Sequence, residues 1–134
     1  MSADEARVVV SLARLRAHAD PLATPPWPGL GPEDSDALIR RIPNAPEYPT
    51  PCGTEASLEA HAGRIRFLMR TGWTDPVAID VGVPWAPGWR AGWIIADGNH
   101  RVAAALLRGD TVITATLGGC LRTCADMLGP LRPA

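Results

Sequence analysis

The sequence contains no lysine: all 13 of its basic residues are arginine. No lysine amine is present to form a Schiff base, clamp a phosphate or serve as a general base. Every fixed positive charge sits on a guanidinium fork, whose geometry suits bidentate contact with phosphate or carboxylate. An arginine-only set is also what a GC-rich genome produces. Cysteine is scarce and odd in number, at three. That offers no disulfide framework and fits reduced thiols in a cytoplasmic protein. No run approaches the roughly 18 apolar residues of a membrane span. The opening Met1-Ser2-Ala3-Asp4-Glu5-Ala6-Arg7 is too polar for a secretory signal, so no membrane partner is expected. Strong charge of one sign is missing too. A formal net charge of −1 excludes a nucleic-acid coat protein.

What is present is a chain of 134 residues, 46% hydrophobic and 20% charged. That length buries one core, and the expectation is one α/β (α+β) domain over residues 1–134, a small mixed sheet flanked by helices. Residues 7–10 read as a strand because valine favours the pleated backbone. Residues 11–18 are ambiguous: Leu12 and Leu15 fit one helical turn, and Asp20-Pro21 ends it. Residues 20–53 carry nine of the 14 prolines and form a proline-rich arm, either ordered loop or flexible. A short helix fits inside it at about residues 33–41, between Pro32 and Pro43.

The strongest helix covers residues 55–71, with Leu58, Ala62, Ile65, Leu68 and Met69 at helical spacing and Gly72 placed to cap it. Residues 76–82 read as a strand and residues 83–92 as a connecting flap broken by Pro84, Pro87, Gly88 and Gly92. A buried strand at residues 93–96, a helix at 100–108 ended by Gly109, a β-branched strand at 111–117 and a helix at 121–128 complete the pattern.

The loop between the 93–96 strand and the next helix carries the chemistry. Asp97-Gly98-Asn99-His100-Arg101 turns within about three residues. Gly98 permits a sharp turn and close approach of a ligand to the backbone, and Asn99 suits an N-cap. The first helical turn exposes unpaired N–H groups with partial positive charge. His100 and Arg101 add donors at an end where positive charge disfavours the helix, and a bound anion reverses that penalty. The bland alternative is an Asp97–Arg101 ion pair with Asn99 as a simple cap.

The stretch from Trp93 to Ala115, together with a Gly72-Trp73 helix end and Asp75-Pro76-Val77-Ala78-Ile79 upstream, resembles the ParB/sulfiredoxin-like superfamily. The resemblance runs over about residues 6–119 and is sharpest at 94–109. It implies a compact α/β fold that binds nucleotide, with ATP or CTP as cofactor and Mg2+ as its companion. On it, Gly98, Asn99, His100 and Arg101 are the phosphate contacts, His100, Arg101 and Asp97 the catalytic group, and slow NTP hydrolysis or phosphotransfer the activity. Asp97 would orient the loop or help hold the magnesium.

Departures narrow the choice. Sulfiredoxins have their reactive cysteine where this chain has Asn99, and Cys52, Cys120 and Cys124 do not match it, which excludes sulfinic acid reduction. Partition-type ParB proteins have Gly-Glu-Arg-Arg where this chain has Gly98-Asn99-His100-Arg101, and they continue into DNA-binding and dimerisation regions. The expectation is a stand-alone domain of phage or plasmid type. Its alternatives are a DNA-binding or nuclease protein, or a non-enzymatic module with a protein partner or a homodimer.

Other candidates are weaker. Glu47, Glu55 and Asp80 are the carboxylates available as general base or magnesium ligand. Cys120 and Cys124, four apart, could share a metal with Cys52 or a histidine, but the spacing is no zinc knuckle, and no metal ligands are assigned. His18 and His61 read as surface or half-buried residues. Trp93 reads as core, whereas Trp85 and Trp89 are open to stacking on a base. Arg64, Arg66 and Arg70 form a basic helix face, solvated by default and a DNA-backbone contact as the alternative.

Overall fold

The computed structural model describes residues 6–24, 26, 45–53, 56–83 and 92–134. Its described elements run β1 (Arg7–Ser11), α1 (Leu12–His18), α2 (Leu58–Thr71), β2 (Val77–Asp80), β3 (Ile95–Asp97), α3 (Asn99–Arg108), β4 (Val112–Gly118), α4 (Leu121–Leu128) and β5 (Arg132–Pro133). The class is mixed α/β, as the sequence implies. Contacts divide the chain into two compact units. The proposed helix at 33–41, Glu55, Trp85 and Trp89 lie outside the described residues.

The first unit comprises residues 1–19, 75–98 and 110–134. Its centre is an open five-stranded sheet in the order β3-β2-β4-β1-β5. β4 lies between β1, which it meets antiparallel, and β2, which it meets parallel. Strand β4 forms because Val112, Ile113, Thr114 and Thr116 are β-branched, and Ile113 and Ala115 point alternately into the core. Ser11 ends β1 and caps α1 by accepting from the Arg14 amide, which settles the ambiguous 11–18 segment as helix with Leu12 and Leu15 fully buried. The two-residue β5, absent from the sequence reading, pairs with β1 at the sheet edge, where Pro133 is tolerated.

The second unit comprises residues 20–74 and 99–109. Its core is α2 packed on α3 through Ala62, Ile65 and Leu68 against Ala103 and Ala104, joined by Leu22 and Ala45. The alanines of α3 let the two helices approach closely. Helix α2 starts at Leu58 rather than at residue 55, because the Ser57 hydroxyl accepts from the Ala60 amide and caps it there. Leu58 is consequently on the exposed first turn, not on the apolar stripe. Gly72 ends α2 at φ 72, returning its N–H to the Leu68 carbonyl.

Two further expectations are corrected. The strand following the flap begins at Ile95, not at Trp93, and runs to Asp97. Trp93 itself is 38% exposed rather than core, while Ile94 and Ile95 are buried. The apolar run reads as continuous burial, but only its two isoleucines reach the interior.

Candidate functional site

The chain leaves β3 at Asp97, turns at Gly98 with φ 102 and enters α3 at Asn99. That left-handed φ is open to glycine and strained for other residues. Asn99 is the first helical residue instead of preceding the helix as a cap. No acidic residue lies in the first turn, which holds half-buried His100 and Arg101. Asp97 is exposed and pairs in register with Ala78 of β2.

His100 turns towards α2. Its Nε2 lies 2.8 Å from Nδ1 of His61. The rings are 14° from parallel with centroids 5.1 Å apart, a separation that an edge-to-edge N–H···N bond gives. Burial, and then competition with His61 for a proton and the positive charges of Arg64 and Arg101, push the His100 imidazole down to about pKa 3. Burial also lowers His61. Both rings are therefore neutral at physiological pH, one donating and the other accepting. As a phosphate contact His100 would bring no charge, and Arg101 is the cation of this turn.

His61 is 2% exposed, which overturns its reading as a surface or half-buried residue. The signal for burial was in the sequence: His61 precedes Ile65 and Leu68 by one and two helical turns, on the same stripe. Cys52 completes the neighbourhood. Its Sγ donates to the Ala60 carbonyl at 3.4 Å, and burial pushes its thiol up, partly offset by Arg64. One ligand atom from each of Cys52, His61 and His100 lies within 4.8 Å of the others. No local pattern around Cys52 announces this, since it is brought in by the segment that lies along α2.

That segment is the described end of the proline-rich arm. Its Tyr48 amide donates to the Gly63 carbonyl. Arg64 and Arg66 donate to the carbonyls of Pro49 and Ala45, and Arg70 makes a two-pronged contact with Glu47. The three arginines of the basic face thus anchor residues 45–49, an ordered loop rather than a free arm.

Asp80 is occupied within the first unit. Its Oδ1 accepts from the Gly82 amide at 2.9 Å, in a corner where the Cys120 amide donates to the Gly82 carbonyl at 2.8 Å. Cys120 precedes α4, where the Thr123 hydroxyl and the helix amides lower its thiol pKa. Cys124 is buried and directs its thiol to the Gly118 carbonyl. Among the described residues, Cys120 and Cys124 belong to no group of metal-ligand geometry. No described helix is long and apolar enough to cross a membrane.

No protein-family model, curated protein or solved structure matches this chain.

Proposed function

We propose that the first turn of α3 holds the phosphate groups of a nucleotide, ATP or CTP with magnesium, in the manner implied by the resemblance to ParB/sulfiredoxin-like domains. The observation that carries this reading is the helix opening directly behind Gly98, with Arg101 in its first turn and no acidic residue there. The helix dipole, the amides of its first turn and a guanidinium favour an anion together. The charges of Arg64 and Arg101 both act on His100, so the local field is positive. Binding, rather than turnover, is what these residues support. Of the described candidate bases, Glu47 is held by Arg70 and Asp80 by the Gly82 amide.

Calorimetric titration with ATP, CTP, GTP and ADP, with and without magnesium, tests this. The expected outcome is saturable binding that weakens about tenfold or more in Arg101→Ala, because a lost charge-assisted bond costs about 1.5–3 kcal/mol. Thermal unfolding of the variant should stay close to that of the parent. Absence of binding by every nucleotide to a folded wild type would overturn the reading.

A further inference from the structure

A second feature of the α2/α3 unit needs no nucleotide. We propose that Cys52, His61 and His100 form a three-ligand site for a zinc-type divalent ion. Their ligand atoms already lie within 4.8 Å of one another. Tetrahedral zinc, with bonds of about 2.0–2.3 Å, sets its ligand atoms roughly 3.3–3.6 Å apart. The two ring nitrogens, at 2.8 Å, open slightly to admit the ion, and the thiol closes on it by side-chain rotation.

The donor set is chemically selective. Two imidazoles and a thiolate are borderline to soft ligands, suited to Zn2+ or Co2+ and poorly suited to Mg2+ or Ca2+, which take oxygen. The site is therefore distinct from any magnesium that accompanies a nucleotide. The three residues come from separate stretches that packing holds in place. His61 is buried in the middle of α2. His100 is on the first turn of α3, which packs against α2. The thiol of Cys52 is anchored to Ala60 of α2.

The ion takes the position of the proton that now joins the two rings. The ring that now donates this proton releases it to solvent and takes one up at its other nitrogen, so each neutral ring ligates through a bare nitrogen and keeps one N–H. The Cys52 thiol gives its proton to solvent on ligation. The resulting thiolate offsets the positive field of Arg64 and Arg101. Three protein ligands leave a fourth position for water, the arrangement of an open rather than a closed zinc site.

The test uses the full chain stripped with a chelator and titrated with Co2+, followed by Zn2+. One equivalent of cobalt should produce a thiolate-to-cobalt charge-transfer band and intense tetrahedral d–d bands, both bleached by zinc. Cys52→Ser should abolish the charge-transfer band, and His61→Gln should weaken binding about tenfold or more. A double Cys120→Ser, Cys124→Ser variant should bind as the parent does. Circular dichroism melting checks the fold of each variant, and if His61→Gln unfolds, the half-buried Cys52→Ser carries the test. A folded parent with no charge-transfer band overturns the proposal. So does a band that survives Cys52→Ser, or one that disappears only with Cys120 and Cys124.

Discussion

Gly63 sits inside α2 where an added Cβ would run into the carbonyl of Pro46 and press on the Tyr48 amide. Two effects of Gly63→Ala oppose each other. Helix propensity alone stabilises by about 1 kcal/mol. The collision is with backbone, which cannot rotate away as a side chain does, and overpacking of this kind costs about 1–3 kcal/mol. The collision wins, and urea denaturation should show a net loss in Gly63→Ala, with the segment at 45–53 exchanging its amides faster.

The Glu47–Arg70 pair makes a pH prediction at the same scale. The hydrogen bond from Arg70, ahead of its charge, holds the Glu47 carboxyl below its usual value, with desolvation opposing. A folded-state pKa below the unfolded one adds stability that is complete above the unfolded value and is lost as pH falls through the folded one. The melting-temperature difference between the parent and Arg70→Met should hold steady above about pH 5 and close as pH drops below about 4. It should be small, because both side chains are well exposed and exposed pairs contribute little.

Among the elements, α2 bears most of the second unit. Ile65 is 0% exposed and packs among Ala62, Leu68, Ala103 and Ala104. Ile65→Ala should cost about 2–5 kcal/mol, a loss read from denaturant midpoints. Ser57→Ala removes the cap and should cost about 0.5–2 kcal/mol. Helix α4 matched its sequence reading end to end, because Gly129-Pro130 stops it regardless of neighbours. Strand β3 did not. Ile94 and Ile95 announce burial, yet the point at which pairing begins is set by β2, which no local pattern near Trp93 encodes.

At the scale of the molecule, the chain passes repeatedly between its two compact units, and each unit gathers segments distant in sequence. A ligand confined to one of them should therefore stabilise unevenly. If zinc binds at Cys52, His61 and His100, free metal at a hundredfold excess over its dissociation constant adds about 2.7 kcal/mol. Hydrogen exchange should show that gain in the amides of α2 and α3 and little of it in β1 and β4. Equal protection in both units would contradict a site confined to the second.

The sequence by itself determined where glycine and proline end helices, where β-branched residues form β4, and that Gly98 leads into a helix without acidic residues in its first turn. These signals act over a few residues, so they survive without knowledge of the rest of the chain. Tertiary structure alone decided the strand order, the exposure of Trp93 and the meeting of His61 with His100 across 39 positions. Those depend on which apolar faces bury one another. The packing of α2 on α3 brings two histidines together, and the arginine-anchored segment at 45–53 carries Cys52 to them, a convergence set by long-range burial that no local spacing records.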